Sequence, residues 1–303
     1  MKPIKIRKTE RTRAKKVLAA LSLFVFLIWA APLEACTLWA ATGNGTAEGY
    51  TILAKNRDWK PGQSHALRQV SIREGYSYVG LFAFGGDSPG LKGGINEKGL
   101  AVVTATASVI PKNERSADGG NHLSSHEILS SFATVDEVLA QKDRFLRSSY
   151  YMVADGRKIA VVEGAPDGKT AVRVIDDGVI AQTNHYVSPE LQWFNGRAST
   201  SSKTRYDRIT SLLSSRQGQL TMDDFVAFSQ DQSAGPDNSI FRTGSNPGKS
   251  RTVATWIIAI PPEGSPELYV KMKDPGEDFR AYSGKLDPEF WGVRTASAGR
   301  SDT

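Results

Sequence analysis

The start of the chain constrains it most, because it leads to Cys36, the only cysteine among 303 residues. A basic segment comes first, an apolar run over residues 17–31 follows, and small residues precede Cys36. Basic, then apolar, then small residues are typical of a secretory signal peptide. We therefore predict a signal peptide over residues 1–35 that is removed, and one domain over residues 36–303 that is periplasmic or secreted.

A cut directly before Cys36 would give this residue a free α-amine beside its thiol. One residue would then hold both a nucleophile and a base of near-neutral pKa. Leu33 is larger than the residue that such a cleavage site prefers. Cleavage after Ala30 or Ala31, followed by loss of a short propeptide, is therefore a second possibility.

Two other interpretations of Cys36 compete with this one. A free cysteine is often a small buried hydrophobic residue. Residues 33–36 also resemble a lipoprotein signal, in which the sulfur carries a lipid anchor, although Glu34 does not fit that signal well. An alkylated sulfur cannot attack a substrate, so the anchor and the nucleophile exclude each other. A lone cysteine cannot form a disulfide within the chain.

Composition argues against a polyanionic partner. The first 35 residues hold eight of the 38 Lys and Arg residues and two of the 32 Asp and Glu residues, so the remainder carries 30 of each sign. A formally neutral domain gives no support for nucleic-acid binding. The apolar run is shorter than the ~20 residues that span a bilayer, so we expect membrane contact only through the signal peptide or, alternatively, a lipid anchor.

Alternating and β-rich segments predict an α+β domain without internal repeats. The predicted strands cover residues 37–43, 50–55, 67–73, 76–84, 101–107, 149–154, 158–164, 170–176, 179–183, 253–260 and 268–272. The predicted helices cover residues 124–132, 135–141 and 204–214, with another after Thr221. Asn44-Gly45 and the Asn96-Glu97-Lys98-Gly99 segment are hairpin-turn sequences. Strands, helices and strands again suggest sheets between helices.

Five motifs in chain order resemble one family. They are Cys36-Thr37, Lys55-Asn56-Arg57-Asp58-Trp59, Gly94-Ile95-Asn96-Glu97-Lys98-Gly99-Leu100, Thr183-Asn184 and Ser202-Lys203-Thr204-Arg205-Tyr206-Asp207-Arg208. The set resembles the Ntn hydrolases of the choloylglycine hydrolase and penicillin V acylase group, with the related isopenicillin N acyltransferase-like linear amide hydrolases. This resemblance implies a four-layer αββα sandwich with antiparallel sheets.

The resemblance also implies a set of catalytic roles. Cys36 would be the nucleophile and its own amine the base, with Asp58 holding and tuning that amine. Asn184 would donate a side-chain N–H to the oxyanion, and the backbone N–H of Thr106 would be the second donor. Arg205 would lie near the nucleophile and lower the thiol pKa. These groups are what an acyl transfer requires.

Four further residues are predicted to bind the substrate. Relatives often have Arg three residues before the Asp, where this chain has Lys55. Arg57 is the alternative, but on a strand it points to the face opposite Asp58; we prefer Lys55, which lies on the same face as Arg57, and leave the role open. His185 would line the pocket, and the loop that holds Trp193 is the predicted apolar acyl site. Thr106 stands where relatives have Asn or Tyr, which bears on the substrate class.

The predicted function is hydrolysis of a linear, non-peptide C–N amide through a thioester on the cysteine. By resemblance the small-molecule substrates are penicillin V, conjugated bile salts, N-acyl homoserine lactones or other N-acyl compounds, and a homotetramer is implied. An acyltransferase on the same scaffold and a lipid-anchored envelope binding protein are the alternatives. We expect no cofactor and no metal, because the four histidines lack metal-site spacing. A papain-like Cys-His site lacks its signature sequence.

Overall fold

The computed structural model describes residues 35–115 and 121–292, which form thirteen strands and four α-helices. The strands are β1 Ala35–Thr42, β2 Thr51–Trp59, β3 Ser64–Val70, β4 Tyr78–Phe84, β5 Gly90–Asn96, β6 Ala101–Thr106, β7 Ser149–Ala154, β8 Ile159–Gly164, β9 Thr170–Ile175, β10 Gly178–Gln182, β11 Arg251–Ile260, β12 Glu267–Met272 and β13 Arg280–Lys285. The helices are α1 Ser125–Ser131, α2 Val135–Leu139, α3 Thr200–Ser215 and α4 Met222–Ser229. Except for Ala35, the predicted signal peptide lies outside these residues.

One sheet has six strands in the order β10-β1-β2-β11-β12-β13, and every neighbouring pair is antiparallel. The hairpin predicted around Asn44-Gly45 is confirmed as β1 and β2, which pair from Ala35 opposite Asp58 to Ala41 opposite Ile52. Both strands are buried along their whole length. They are central strands covered on both faces, which explains their almost continuous apolar sequence.

The second sheet is an antiparallel meander of seven strands in chain order, from β3 to β9. Its middle strand β6 is the largely apolar run that the sequence predicted to be buried. Strand β3 begins three residues before its predicted position. Strand β13 was not predicted, because its residues are almost all exposed and carry no apolar alternation.

Three apolar clusters separate four layers. The first lies between the sheets and contains Leu38, Ile95 and Trp256. The second joins the outer face of the six-stranded sheet to α3 and α4, and the third joins the outer face of the seven-stranded sheet to α1 and α2. This arrangement confirms the predicted α+β class and the αββα sandwich. No helix in the described ranges is long and apolar enough to cross a membrane.

Candidate active site

Strand β1 brings Cys36 to the space between the two sheets. Cys36 is 4% exposed, belongs to the apolar cluster between the sheets and pairs across the ladder with Arg57. Residues that pair across two strands share a face, so the thiol and the Arg57 side chain project to the same side. The neighbouring Asp58 projects to the opposite, helix-covered side, as strand alternation requires.

Asn184 holds the main-chain nitrogen of Cys36. This nitrogen, a peptide N–H here and the α-amine in a chain that begins at Cys36, donates to Asn184 Oδ1 at 2.8 Å. Asn184 Nδ2 donates to the carbonyl of Thr106 at 2.9 Å. The amide orientation is fixed, because the reverse orientation would set N–H donors against one another.

Arg205 fixes the same group from helix α3. Its guanidinium donates to the carbonyl of Cys36 at 2.6 Å, to Thr37 Oγ1 at 2.8 Å and to Asn184 Oδ1 at 2.9 Å. Burial lowers the pKa of Arg205 to about 10, against the attraction of Asp58, so it stays charged at neutral pH. The structure therefore brings Cys36, Asn184 and Arg205 together, as the resemblance implied.

Asp58 is completely buried and lies opposite Ala35 in the ladder. Its Oδ1 accepts a hydrogen bond from Thr252 at 2.7 Å, while its Oδ2 has no hydrogen-bond partner and lies 3.8 Å from Arg242 Nη1. Burial raises the pKa of Asp58, and the charges of Arg242 and Arg205 oppose that rise. Buried carboxylate oxygens are normally paired, and the contact of Asp58 with the α-amine stays a prediction.

Thr106 ends strand β6 on the wall of the same site. Its carbonyl, rather than a side-chain group, meets Asn184. Thr106 also lines the cavity above the thiol. The proposed donation from its backbone N–H to an oxyanion stays a prediction.

A cavity of about 420 Å³, called here the Cys36 cavity, lies over the thiol. Strands β2, β5, β6 and β7 and the start of α1 form its walls. Its lining residues are Cys36, Lys55, Arg57, Trp59, Ser88, Pro89, Leu91, Lys92, Thr104, Ala105, Thr106, His122, Ser124, Ser125, His126, Arg147, Ser149 and Tyr151. Both Lys55 and Arg57 therefore reach it, as predicted from their shared face of β2.

The two basic residues of β2 are held in place differently. Lys55 Nζ donates to the carbonyl of Lys92 at 2.7 Å, and burial lowers the pKa of Lys55 to about 8. Arg57 donates to Gln63 Oε1 and His65 Nε2, and its guanidinium lies 4.6 Å from the centre of the Trp59 ring. These contacts fix two cationic side chains against the cavity wall.

The structure does not bring the other two predicted binding residues to this cavity. His185 bonds through Nδ1 to Ser202 Oγ at 2.9 Å, behind Asn184, and burial lowers its pKa to about 4. Trp193 is 65% exposed and stacks on Phe194. The Glu163 carboxylate accepts hydrogen bonds from the backbone of the early residues of the loop over residues 185–197. Neither His185 nor Trp193 lines the Cys36 cavity, and an apolar acyl site in this loop stays a prediction.

Several residues of the site were not predicted from the sequence. Arg242 and Thr252 support Asp58, and their backbones pair with each other at 2.9 Å next to the bulge in β11. Lys92 and Arg147 line the Cys36 cavity. Each is a single basic or hydroxyl residue in a segment without a recognisable motif, so only the fold reveals its position.

The described residues contain no group of three or more His, Cys, Asp or Glu that could hold a metal ion. A larger cavity of about 850 Å³ lies elsewhere, around the Asn96-Glu97-Lys98-Gly99 turn. It is called the Asn96 cavity below. Neither Cys36 nor Asn184 lines it, so size alone does not mark the candidate site.

Comparison with known proteins identifies the family. Residues 43–268, about three quarters of the chain, match the sequence model of the acyl-coenzyme A:6-aminopenicillanic acid acyl-transferase family. The chain belongs to this family. The matched segment begins after Cys36 and contains Asp58, Asn184 and Arg205.

Two solved structures of conjugated bile acid hydrolase from Clostridium perfringens share the fold. A variant with an arginine replaced by leucine aligns with a TM-score of 0.54 and 15% identity, covering 83% of this chain and 92% of that chain. A mutant with a cysteine replaced by alanine aligns with a TM-score of 0.52 and 14% identity, covering 82% and 92%. The family match confirms the family resemblance, and these two structures confirm its sandwich fold. The comparison with curated proteins found no match.

Proposed function

We propose that this chain is an exported amidohydrolase that cleaves the linear C–N amide of a small N-acyl substrate through a thioester on Cys36. The observation that carries the proposal is the junction at Asn184, where one amide side chain binds the nitrogen of Cys36 and is itself held by Arg205. Family membership and the fold support the same chemistry. The substrate classes are those named from the resemblance, and no cofactor is invoked.

In the proposed first step the thiol proton of Cys36 passes to its α-amine, and the sulfur attacks the substrate carbonyl carbon. Asn184 has two Nδ2 hydrogens, of which one binds the Thr106 carbonyl, leaving the other for the oxyanion. The C–N bond then breaks, and the leaving nitrogen takes the proton from the α-ammonium. A thioester on Cys36 and a free amine result.

In the second step water attacks the thioester carbon while the α-amine accepts a water proton. The C–S bond breaks, the thiolate recovers the proton, and a carboxylic acid leaves. Asp58 Oδ2 would accept a hydrogen bond from the α-ammonium whenever it forms, which favours the charged amine. Its removal from water makes this interaction stronger than it would be at the surface.

Acyl transfer to an amine is the second candidate, because the matched family takes its name from an acyl-transferase. The two activities share the thioester and differ in what attacks it. Competition between water and an added amine, measured as the ratio of acid to new amide, separates them. Acid as the main product at millimolar amine supports hydrolysis.

The lipid-anchor alternative has less support. The Cys36 sulfur belongs to a residue that is 4% exposed between two sheets, whereas a lipid-bearing sulfur must reach the membrane. Mass spectrometry of the mature protein tests this point, together with export and cleavage. A free, unmodified Cys36 at the N-terminus supports the enzyme, and a lipid adduct on the sulfur contradicts it. Size-exclusion chromatography with light scattering tests the proposed homotetramer.

The decisive pair of proteins differs by one residue. One chain begins at Cys36, and the other keeps Ala35, so that the same nitrogen is a peptide N–H that cannot take a proton. Both are assayed against penicillin V, a conjugated bile salt, an N-acyl homoserine lactone and glutaryl p-nitroanilide, after mass analysis of each N-terminus. We expect turnover only for the chain that begins at Cys36. Equal turnover by an intact Ala35 chain would contradict the proposal.

A further inference from the structure

The walls of the Cys36 cavity are unusually basic. Four of its lining residues are cationic, and none of the described lining residues is Asp or Glu. Two histidines and several hydroxyl groups complete the lining. A concave site with one sign of charge concentrates ligands of the other sign, because its low-dielectric walls focus the field. This inference rests on the proposed function and concerns the substrate of the same site.

Lys55 is the innermost of these cations. It is 1% exposed, its Nζ donates to a backbone carbonyl, and the Cys36 sulfur, followed by Asp58 on the opposite face of β2, favours its charge against burial. An ammonium group has three donors, so others are available to a ligand in the cavity. A buried charge is costly, and a bound anion offsets that cost.

The other basic groups extend the positive surface outward. Lys92 Nζ donates to Ser88 Oγ at 3.2 Å and to the Pro89 carbonyl at 3.1 Å, which places the ammonium among the lining residues of the loop before β5. Arg147 lies on the opposite wall, just before β7, and is exposed. The cations therefore lie both deep in the cavity and at its rim.

The histidines of the cavity are held as hydrogen-bonding groups. His122 Nε2 lies 3.0 Å from the hydroxyl of Tyr151, and His126 Nδ1 lies 2.9 Å from that of Tyr78. Burial lowers the pKa of His122 to about 4, with Arg147 adding to the effect, so this ring is neutral at pH 7. The permanent charge of the cavity therefore comes from Lys and Arg.

The position of the Cys36 nitrogen decides which part of the substrate enters. That nitrogen faces Asn184, which follows β10 on one flank of β1 and does not line the cavity. The leaving nitrogen must lie near it to receive its proton. The acyl carbon instead bonds to the sulfur, which shares the face of β2 that Lys55 and Arg57 occupy. The acyl group therefore extends into the cavity.

We propose that the acyl part of the substrate carries an anionic group, a carboxylate or one of similar size and charge, which binds between Lys55 and the basic rim of the Cys36 cavity. About 420 Å³ suits a short acyl chain and lies low in the range of small-molecule sites. An N-acyl compound derived from a short dicarboxylic acid has the required chemistry. A large apolar acyl group does not, so among the substrate classes named above this inference favours other N-acyl compounds over penicillin V and conjugated bile salts.

The first test uses the single cysteine as its probe. Iodoacetate and iodoacetamide have nearly the same size, and only iodoacetate is anionic, so the ratio of their rates at Cys36 reports charge selectivity independently of thiol reactivity. Rates are measured by mass spectrometry on the mature protein, with glutathione as the reference thiol. We expect the iodoacetate-to-iodoacetamide ratio at Cys36 to exceed that of glutathione by at least about tenfold.

Variants locate the selectivity. Arg147→Gln should lower the ratio by about threefold, since an exposed cation contributes less than a buried one. Lys55→Met should lower it further in protein shown to be folded by its thermal transition. Lys249→Gln is the matched control, because Lys249 is an exposed cation outside the cavity. A ratio equal to that of glutathione, or an equal response to Lys249→Gln, would overturn the proposal.

The second test compares substrates that carry a negative charge on the acyl side of the amide with substrates that carry it on the amine side. Glutaryl p-nitroanilide is compared with its methyl ester, and N-butyrylglycine with N-butyrylglycinamide. We expect kcat/KM to favour the glutaryl acid over its ester by at least about tenfold, and Arg147→Gln to narrow that gap. A preference confined to the glycine pair, or no preference, contradicts an anionic acyl group while leaving the amidase intact. Failure to cleave any amide contradicts the proposed function, and the alkylation ratio still decides the charge of the ligand.

Discussion

Two buried asparagines, Asn96 and Asn184, have the same side chain and the same 1% exposure but serve different purposes. Asn96 Nδ2 donates to the carbonyls of Leu129 and Phe132, both at 2.8 Å, and its Oδ1 accepts from the backbone of Lys98 and Leu100 at 3.0 Å. It ties a hairpin turn to the end of α1, beside the Asn96 cavity.

The Asn184 side chain makes three hydrogen bonds, one fewer than Asn96, and with different partners. Its side chain bridges the Cys36 nitrogen, the Arg205 guanidinium and the Thr106 carbonyl. Asn96 therefore completes a structural turn, whereas Asn184 connects a nucleophile with a buried charge. Burial does not separate the two functions, whereas the chemistry of the partners and the unused Nδ2 hydrogen of Asn184 do.

The largest expected effect is the loss of the nucleophile. Cys36→Ala should reduce turnover of any amide substrate at least about 1,000-fold, because no other group can form the thioester. The thermal transition should move little, since alanine fits a site of this size. Steady-state kinetics and calorimetry on the same preparation check both statements. Turnover within tenfold of the parent would remove Cys36 from the mechanism.

The next effect separates the asparagines directly. Asn184→Ala should lower kcat by about 100-fold, because it removes an oxyanion donor and the partner of the Cys36 nitrogen. Asn96→Ala, measured beside it, should leave kcat per folded molecule within about twofold. If both variants lost activity equally, the distinction between the two sites would be wrong.

The free energy of unfolding should depend strongly on Asn96, the asparagine that catalysis does not need. Asn96→Ala leaves two buried carbonyls and two backbone N–H groups of the turn without their partner, and we expect a loss of about 2–4 kcal/mol in the free energy of unfolding. Urea denaturation measures it. Asn96→Asp provides a matched comparison that keeps both acceptor positions for the turn but removes the donor. An unchanged unfolding midpoint for Asn96→Ala would contradict a structural role.

The smallest expected effect is the loss of stability on acidification. His65 lies behind Arg57, and burial lowers its pKa to about 4. The unfolded chain binds this proton below about pH 6.5 while the folded chain does not, so stability present above that pH is lost as the pH falls towards 4. His65→Gln should reduce the slope of unfolding free energy against pH in this window. An identical slope would show that His65 does not contribute.

The asparagine comparison also explains what the sequence could predict. The Asn96 turn could be predicted because its partners Lys98 and Leu100 are close along the chain, so turn chemistry and the resemblance pointed to one hairpin. Its bonds to the end of α1 are long-range and were not predicted. The pairing of Cys36 with the Asp58 segment was equally accessible, since one short hairpin connects them. Strand alternation correctly put Lys55 and Arg57 on one face.

Long-range placement could not be predicted in the same way. Arg242 reaches Asp58 from a segment without secondary-structure periodicity, and Thr252 does so at a bulge. The loop of Trp193 was predicted to be a pocket wall because it is aromatic, but Glu163 on strand β8 binds its backbone and Trp193 does not line the Cys36 cavity. Such positions depend on contacts between residues that lie more than twenty positions apart in the sequence, which local patterns do not encode.

The central claim is that Cys36 acts through its sulfur and its own amine. The most direct measurement is acid-quenched mass spectrometry of a single turnover, comparing the chain that begins at Cys36 with the chain that keeps Ala35. The account predicts a transient mass increase equal to the acyl group, located on Cys36 only in the first chain. Turnover without such an adduct, or the same adduct and turnover in the chain with Ala35 intact, would contradict it.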